Sequence, residues 1–449
     1  MTVANNYTKI YDPEVETRSR SKQRLLDESA FRKQVIYLFE NSRFYKNKLN
    51  KAGFKNAKSV GGLNNLNNVP LSTKDELRKS QAEEAPLGSH CAAPLENIAR
   101  IYSTSGTSGV PMYIPLTQND LKNWIITSHR SYTAAGILKN HRVLTTYNSG
   151  PFVAGAVGES LQSLGVNIIP IGTGNTERLV RALNRFQPDA IPGTPSFLLY
   201  IAETAKRLGV DPSECGLKTL ICGGEPGAAE KSLRSQLENL YRAKVHEVMG
   251  IGDISISIWG EAEEQLGMHF CAQDFVHVEL IDPKSEKIVP IEDGATGELV
   301  YTHLRHEAAP LLRFRSRDHV IVYTKPVGSG RTGIRIRCIG RTDDMLIVRG
   351  VNVFPSAVRE VVSDFCPEVS GLISIRPSQN GVKQSPPLPI LVELNQGRKE
   401  YKNLQVAIET AIREKLVFKS KVSLVPYLTL DRSEYKSKLV DYKNAQKLN

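Results

Sequence analysis

Short apolar runs and longer amphipathic stretches alternate along residues 142–222. The apolar runs predict β-strands, and the stretches between them have apolar residues at helical spacing. Strands that alternate with helices in this way predict parallel β-α-β layers. The predicted strands are 142–147, 167–171, 189–191 and 217–222, and the predicted helices are 155–164, 176–186 and 196–208.

The loops that follow the predicted strands are the first places to look for a binding site. Ligands of parallel sheets bind at the carboxyl ends of the strands. The candidates are therefore the loops after Tyr102, Tyr147, Ile191 and Cys222.

The hydrophobic pattern changes on either side of this region. Residues 24–50 predict one amphipathic helix. Beyond residue 261 short β-rich pieces indicate a small barrel or meander, and after residue 340 the pattern is mixed α+β. The sequence therefore predicts an α/β fold. A large N-terminal domain, residues 1–340, has layered α/β subdomains and a small β-barrel-like part, and a small α+β C-terminal domain covers residues 341–449.

The chain has a formal net charge of +11, which permits an anionic partner such as nucleic acid, an acidic lipid surface or a polyphosphate ligand. Its basic residues are dispersed from Arg18 to Lys447, with no basic run flanked by aromatic residues. A nucleotide substrate accounts for this charge as well as DNA does. We therefore predict no nucleic-acid partner.

Cysteine usage and the apolar runs indicate in which cellular compartment the protein is located. The six cysteines are scattered without a C-x-x-C pair, which predicts reduced, structural thiols. The N-terminal residues lack the apolar core of a signal peptide, and no apolar run is long enough to span a membrane. The sequence therefore predicts a cytoplasmic protein that does not cross a membrane.

Residues 103–109 consist only of serine, threonine and glycine and follow the β-favouring pair Ile101-Tyr102. Small side chains let a backbone approach a ligand closely, and successive N–H groups with hydroxyls attract phosphate oxygens. The segment is not a Walker P-loop, because Gly106 and Gly109 stand three apart with no lysine in register. The alternative is a solvated linker.

Further stretches occur in a fixed order after this segment. They are CGGEP at 222–226, MGIGD at 249–253, RFRSRD at 313–318, GRTDDMLIVRGVNVFP at 340–355 and RSEYKSK at 432–438. With the Ser/Thr/Gly segment, this set resembles the acyl-adenylate-forming superfamily and specifically its phenylacetate–coenzyme A ligase branch, over residues 30–442. The resemblance implies that ATP activates a carboxylic acid to acyl-AMP, with release of pyrophosphate. The acyl group then passes to the thiol of coenzyme A.

The resemblance also implies where ATP and Mg²⁺ bind. The implied β/γ-phosphate residues are Ser103, Thr104, Ser105, Gly106, Thr107, Ser108 and Gly109, and the implied adenine residues are Gly223, Gly224, Glu225, Pro226, Met249 and Gly250. Asp318 would bind the ribose hydroxyls with help from Arg341, since a carboxylate accepts two donors from a vicinal diol. The alternative for Asp318 is a surface ion pair with neighbouring arginines. Thr107 and Asp253 would bind Mg²⁺.

The resemblance makes Lys436 the catalytic lysine of adenylation, with Lys438 in reserve. An ammonium that bridges the carboxylate and the α-phosphate stabilises the transition state. The C-terminal domain of the family rotates between the two half-reactions. Asp343 matches its hinge, and Gly350 matches the point where pantetheine passes the backbone.

The acid is predicted to be aromatic or arylalkanoic. Its implied pocket residues are Tyr147, Phe152, Gly223, Ile251 and Ile254, which mix aromatic, aliphatic and small side chains. Two alternatives stay open. One is an adenylating enzyme that transfers the acyl group to a carrier protein or an amine, and the other is a nucleotide- or nucleic-acid-binding protein without catalysis. The oligomeric state is also open, although relatives are often homodimers.

The chain departs from the family pattern in three places. MGIGD replaces Tyr-Gly-x-Ser/Thr-Glu, so the aromatic residue near adenine becomes Met249 and the acidic residue becomes the shorter Asp253. Tyr435 stands where glycine is common. The clustered cysteines of some relatives are missing, so we predict no structural zinc. His303 and His306 lack the H-E-x-x-H order and are predicted to be structural.

Overall fold

The computed structural model describes residues 9–104, 111–147, 153–172, 174–398, 403–432 and 438–442. The α-helices are α1 Pro13–Glu16, α2 Arg20–Asn41, α3 Arg43–Lys51, α4 Ala57–Val60, α5 Lys74–Glu83, α6 Gln118–Ala134, α7 Ala156–Ser163, α8 Thr176–Phe186, α9 Pro195–Arg207, α10 Lys231–Tyr241, α11 Pro355–Ser363 and α12 Leu404–Leu416.

The strands are β1 Arg100–Ser103, β2 Tyr113–Leu116, β3 Arg142–Thr145, β4 Asn167–Pro170, β5 Ala190–Gly193, β6 Thr219–Cys222, β7 Lys244–Ile251, β8 Ser255–Glu261, β9 Met268–Phe270, β10 Val276–Ile281, β11 Ile288–Val289, β12 Thr296–His303, β13 Phe314–Tyr323, β14 Arg335–Arg341, β15 Leu346–Val348, β16 Val351–Val353, β17 Val369–Ile375, β18 Lys383–Gln384, β19 Leu388–Leu394 and β20 Ser420–Val425.

The chain divides into two compact units that are each built from separate segments. The first unit comprises Met1–Gly172, Pro188–Pro192 and His246–Arg337, and the second comprises Thr173–Gln187, Gly193–Val245 and Cys338–Asn449. The domain boundary at residue 340 stays a prediction.

The first unit contains three of the four predicted parallel strands, and the fourth, β6, belongs to the second unit. β3 pairs in parallel with β4, with Val143 opposite Ile168, and also with β5 through Ala190. Helix α7 connects β3 to β4 and buries Val157 and Leu161. The prediction of β-α-β layering is therefore confirmed here, and the carboxyl end of β3 leads directly to Tyr147.

The β-rich part of the first unit is an antiparallel sheet. Its strand order is β11, β10, β12, β13, β14, β9, β8, β7. Helix α6 approaches β8 closely at Gly260, where a Cβ would lie 2.4 Å from the carbonyl oxygen of Ser131. Glycine is therefore required for this helix-to-sheet contact.

The predicted helix over 24–50 is wrong in one respect, because it consists of two helices. Ser42 ends α2 in an extended conformation, and its hydroxyl accepts a hydrogen bond from the N–H of Tyr45 to cap α3. A serine at this position favours a cap over a helix interior. Phe31, Val35 and Leu38 then pack with Tyr45 in one apolar cluster.

The C-terminal part of the second unit has its own core. β19 pairs antiparallel with β17 and parallel with β20. Helices α11 and α12 pack on this sheet, and their buried side chains form one cluster with those of the strands. The α+β character predicted after residue 340 is confirmed for these elements. The cluster includes Val358, Val362, Ile373, Ile390, Val392, Ile408, Ile412 and Val422.

None of the helices in the described ranges has the length and apolar character that a membrane span requires. The six cysteines all lie within these ranges, and each is a free thiol.

Asp27 of α2 offers a test of how burial affects stability. Its carboxylate is 9% exposed, and burial raises the pKa of Asp27 from 3.8 to about 6 despite a hydrogen bond from Gln23. The folded chain therefore binds more protons than the unfolded chain between these pH values, so stability falls as pH rises across this window.

We expect Asp27→Asn to stabilise the protein at neutral pH by up to about 3 kcal/mol. The neutral amide avoids the cost of a buried charge and can still accept from Gln23. Thermal unfolding at neutral pH and near pH 4 checks this, with the exposed Asp75→Asn as control. If Asp27→Asn raised the stability equally at both pH values, the buried charge could not be the cause.

Candidate active site

The two ends of the Ser/Thr/Gly segment are held side by side. β1 and β2 pair antiparallel, with Ser103 opposite Tyr113. The N–H of Thr104 donates to the carbonyl of Met112 at 2.9 Å, which extends the pairing by one residue. Ser103 and Thr104 therefore lie at the end of β1, at the entrance of the loop that follows it. The other predicted phosphate residues, Ser105, Gly106, Thr107, Ser108 and Gly109, lie outside the described residues.

The segment from Met249 to Ile254 forms a tight reversal between β7 and β8. Met249 pairs with Trp259, a bulge follows, and the N–H of Ile254 donates to the carbonyl of Ile251 at 2.7 Å. Gly250 lies so close to β8 that a Cβ would come within 1.7 Å of the Ile256 carbonyl oxygen. Any side chain at this position would therefore force the backbone of β8 to move.

His303 contacts this reversal directly, and His306 packs against His303. Nδ1 of His303 accepts from the N–H of Leu311 at 3.0 Å, so its Nε2 donates to the carbonyl of Ile254 at 3.3 Å. Burial lowers the pKa of His303 well below its usual value, and the ring stacks on His306 at 4.2 Å. His306 in turn contacts Asp120 at 3.2 Å. The prediction that these histidines are structural is confirmed.

Asp253 is a buried carboxylate next to the loop entrance. A Cβ on the preceding Gly252 would lie 3.8 Å from Cγ2 of Thr104, so the reversal packs beside that entrance. Oδ2 of Asp253 accepts from the ammonium of Lys74 at 2.7 Å. Its Oδ1 is buried and has no hydrogen-bond partner among the described residues.

The unpartnered oxygen of Asp253 fits the predicted Mg²⁺. Protein sites often hold Mg²⁺ through one or two carboxylates, with phosphates and water as the other ligands. Among the described residues no group of three or more His, Cys, Asp and Glu side chains could hold a metal. An ion bound by Asp253 would therefore take its other ligands from Thr107, as predicted, and from the nucleotide.

Lys74 is a site residue that the sequence did not predict. It is the first residue of α5, which Thr73 and Glu76 start with reciprocal capping hydrogen bonds. The preceding Ser72 is bonded on both sides to the β13 edge, through the carbonyl of Arg313 and the N–H of Arg315. The Thr-x-x-Glu pattern marks the helix start, but nothing in the sequence pairs Lys74 with Asp253.

Tyr147 lies half-buried where the chain leaves β3. Its N–H donates to the hydroxyl of Thr145 at 3.2 Å. Both residues line a groove of about 590 Å³ together with Tyr102, whose ring stacks on Trp124 at 6.2 Å. Tyr147 therefore stands at a concave surface close to β1. Phe152, the other predicted aromatic residue of the pocket, lies outside the described residues.

Asp318 is buried within β13 and is 7% exposed, so it is not a surface residue. Its N–H donates to the hydroxyl of Ser316 at 3.0 Å. The neighbouring arginines contact glutamates: Arg313 lies 3.0 Å from Glu279, and Arg315 lies 2.8 Å from Glu298. Asp318 therefore lies inside the sheet and not at the surface, and its ribose role stays a prediction.

Within the second unit, the Gly223–Pro226 loop is anchored at several points. The N–H of Gly223 donates to the carbonyl of Gly193, and Gly224 has a φ of +89°, which favours glycine. Oε1 of Glu225 accepts from the N–H of Ser196 at 2.8 Å, at the N-terminus of α9. The predicted adenine loop therefore has a fixed backbone.

Arg359 of α11 is another residue that the sequence did not predict. Its guanidinium donates to the carbonyl of Pro226 and lies 3.1 Å from the Glu230 carboxylate. Both side chains are about 5% exposed. The buried ion pair therefore links α11 directly to the end of the predicted adenine loop.

Arg341 and Asp343 contact each other in the second unit. Nη2 and Nε of Arg341 donate to the two oxygens of Asp343 at 2.9 and 3.0 Å. Gly350 and Arg349 both have positive φ, +85° and +47°, and connect the paired strands β15 and β16. This is the geometry of a tight hairpin turn, which by itself favours glycine. The hinge and pantetheine roles stay predictions.

Lys436 lies outside the described residues, and its catalytic role stays a prediction. Arg432 and Lys438, on either side of it, are described. Ile251 is half-buried and Ile254 is buried, as is suitable for a pocket wall and its support.

Comparison with known proteins identifies the family. Residues 30–303 match the AMP-binding enzyme family, and residues 350–443 match the AMP-binding enzyme C-terminal domain. The first match alone covers more than half of the chain. The chain belongs to the AMP-binding enzyme family.

Similar proteins refine this assignment. A phenylacetate–coenzyme A ligase of Thermus thermophilus is 35% identical over 357 residues, which cover 79% of this chain and 78% of that protein. The Escherichia coli protein of the same name is 33% identical over 358 residues, which cover 79% of each chain. The predicted resemblance to the phenylacetate–coenzyme A ligase branch is therefore confirmed.

Solved structures agree with the fold. A 2-hydroxyisobutyryl-CoA ligase in the postadenylation state is 26% identical with a TM-score of 0.90, covering 98% of this chain and 94% of that one. The same ligase in the thioesterification state has a TM-score of 0.72 over equal shares. The fold is that of an AMP-binding enzyme, a mixed α/β chain with a large N-terminal and a small C-terminal domain.

We expect Gly250→Ala to damage this AMP-binding enzyme severely. The new Cβ would overlap the Ile256 carbonyl, and backbone cannot move aside cheaply, so a loss of about 1–3 kcal/mol in stability is expected. Gly252→Ala is the matched control, because its nearest neighbour is the Val153 side chain at 3.2 Å. Thermal unfolding of both variants checks this. Equal unfolding temperatures would contradict the close approach at Gly250.

Proposed function

We propose that the protein is an ATP-dependent acid–coenzyme A ligase. It activates a carboxylic acid to acyl-AMP, releases pyrophosphate and transfers the acyl group to coenzyme A. The observation that carries the proposal is the match to phenylacetate–coenzyme A ligases at 31–35% identity over more than three quarters of the chain. The ordered motifs from residue 103 to residue 438 support it independently.

The chemical problem of the first step is charge. A carboxylate attacks an α-phosphate that is already negative, so cations and aligned donors must offset the charge. Lys436 is proposed to bridge the two anions. Asp253 would hold Mg²⁺ through its unpartnered oxygen, and such an ion would supply positive charge beside the phosphates. Lys74 orients Asp253 through the other oxygen, so the carboxylate keeps one oxygen for the metal.

Nucleotide specificity is proposed to come from separate groups. Asp318 accepts from the ribose hydroxyls, with Arg341 assisting. Gly224 and its neighbours shape the adenine pocket, and Met249 contributes a polarizable side chain there. Ser103 to Gly109 bind the β/γ-phosphates. The buried position of Asp318 and the anchoring of Glu225 by α9 support these roles.

The acid is proposed to be aromatic or arylalkanoic, in line with the names of the relatives. Tyr147, Phe152, Gly223, Ile251 and Ile254 contribute to its pocket. Gly350 gives pantetheine room to pass, and Asp343 is the hinge of the C-terminal domain, residues 341–449. We further propose a cytoplasmic enzyme, and a homodimer by analogy with the superfamily.

A panel of carboxylic acids scored by pyrophosphate release tests this function. Arylacetates, benzoates and short aliphatic acids are each supplied with ATP and Mg²⁺, with and without coenzyme A. We expect acid-dependent pyrophosphate release with aromatic acids and acyl-CoA formation when coenzyme A is added. A product formed only with a carrier protein or an amine would establish the alternative acceptor. Salt-dependent DNA binding without any active acid would reject the enzyme.

A further inference from the structure

Arg432 binds two carboxylates with different edges of its guanidinium. Nη1 and Nη2 lie 2.9 and 2.8 Å from the two oxygens of Glu393. Nε and Nη2 lie 3.4 and 3.5 Å from the two oxygens of Glu203 in α9. The guanidinium also lies over the ring of Tyr427 at 5.1 Å. A planar fork with several donors suits this double contact, and a lysine would not reproduce it.

The contact with Glu393 lies within the C-terminal sheet. Glu393 lies on β19 with a fully buried side chain, and it also accepts from the N–H of Leu430 at 2.9 Å. A buried carboxylate needs a cation, and Arg432 supplies it. Burial acts to lower the pKa of Arg432, but the two carboxylates outweigh this effect and raise it. Arg432 therefore stays charged and attached to β19.

The chain is also anchored on the other side of residue 436. Val440 forms a bridge with Ile375 of β17, the N–H of Ile375 donates to the carbonyl of Leu439, and the N–H of Asp441 donates to the carbonyl of Ile375. Arg432 and Leu439, the described residues before and after residues 433–437, are thus both held to neighbouring strands of one sheet.

The contact with Glu203 is of a different kind. Glu203 belongs to α9, which precedes residue 340 in the chain, and its side chain is 33% exposed. Its carboxylate can be solvated when Arg432 is absent. The proposed rotation about Asp343 would carry Glu393 together with Arg432 but leave Glu203 behind. With that rotation, the ion pair with Glu203 would exist in one of the two orientations only.

We propose that Arg432 is a positioning residue that docks the lysine-bearing segment on Glu203 for adenylation only. This rests on the proposed function, in which Lys436 acts in the first half-reaction. The Glu393 contact holds the start of the segment in every orientation. The Glu203 contact favours the orientation in which the segment meets α9.

The test is Glu203→Gln, which removes one charge and leaves Arg432 and Glu393 paired. The matched control is Glu177→Gln in α8. The carboxylate of Glu177 lies 3.5 Å from Arg207 of α9, the helix that also carries Glu203. Each enzyme is assayed for acid-dependent pyrophosphate release and, separately, for thioester formation from supplied acyl-AMP and coenzyme A. We expect Glu203→Gln to slow adenylation about fivefold with the thioester step and unfolding temperature unchanged. Glu177→Gln should leave both steps unchanged.

A double-mutant cycle with Arg432→Gln measures the coupling directly. If the pair acts as proposed, Glu203→Gln causes no further loss of adenylation in the Arg432→Gln background. The inference is overturned if Glu203→Gln leaves adenylation unchanged or slows both half-reactions alike. The proposed function fails differently, because the unmodified enzyme would then release no pyrophosphate with any acid, and this inference would fall with it.

Discussion

Replacing Lys436 with alanine should slow acid-dependent pyrophosphate release by about a hundredfold to a thousandfold. In the proposed reaction a single ammonium faces both the attacking carboxylate and the α-phosphate, and no other cation of the chain is proposed to bridge them. Loss of a charge that stabilises only the transition state lowers kcat and kcat/KM together. The KM for ATP should therefore change little.

The second half-reaction separates this role from a general loss of structure. Lys436→Ala should form acyl-CoA from supplied acyl-AMP and coenzyme A at the unmodified rate, because the acyl phosphate anhydride is already made. Lys438→Ala is the matched control and should retain both steps. If Lys438→Ala loses adenylation and Lys436→Ala keeps it, the catalytic role passes to Lys438. Unchanged adenylation in both variants would remove the lysine from the mechanism.

The parallel layering could be predicted because it depends on local pattern. Val143 in β3 and Leu161 in α7 are buried as their spacing implies. Thr117 and Asp120 cap α6 with reciprocal hydrogen bonds, which is another signal that lies within a few residues of the chain. A spacing of 2 residues between apolar positions marks a strand and a spacing of 3.6 residues marks a helix, so each element can be predicted from its own residues. The strand ends then indicated which loops to inspect, and Tyr147 lies at a groove there.

Contacts between distant segments could not be predicted from one sequence. Lys74 and Asp253 are 179 residues apart, and Arg359 lies 129 residues from Glu230. Each side chain alone is an ordinary charged residue, and the sequence offers no sign that it will contact its partner. The break at Ser42 was missed for a different reason, because helical spacing of apolar residues continues across it while a side-chain cap ends the helix.

Some predicted positions have more than one physical explanation. Gly350 matches the family motif, but its φ of +85° in the hairpin turn already favours glycine without any ligand. Gly250 likewise is required by its contact with Ile256. A glycine in a family motif can therefore be needed for the backbone, for a ligand or for both. Variants at charged residues such as Asp318 separate these causes better than glycine variants do.

Replacing Asp318 with asparagine should raise the KM for ATP by about tenfold to a hundredfold. The proposed carboxylate accepts two hydrogen bonds from the ribose diol, and hydrogen bonds to a charged group are the stronger class. Asparagine has nearly the same shape, so the buried site on β13 should keep its packing. Asparagine replaces one carboxylate oxygen with an NH₂ group, which cannot accept a hydrogen bond from a ribose hydroxyl.

The 2′-hydroxyl gives this prediction an internal control. With 2′-deoxy-ATP the unmodified enzyme should already have lost part of the ribose interaction, so Asp318→Asn should raise the KM for 2′-deoxy-ATP less than the KM for ATP. Glu292→Gln, an exposed charge change, should alter neither value. Equal increases with both nucleotides would show that Asp318 acts on the protein rather than on the diol. The carboxylate would then have a structural role in β13, and ribose recognition would have to come from another donor and acceptor set.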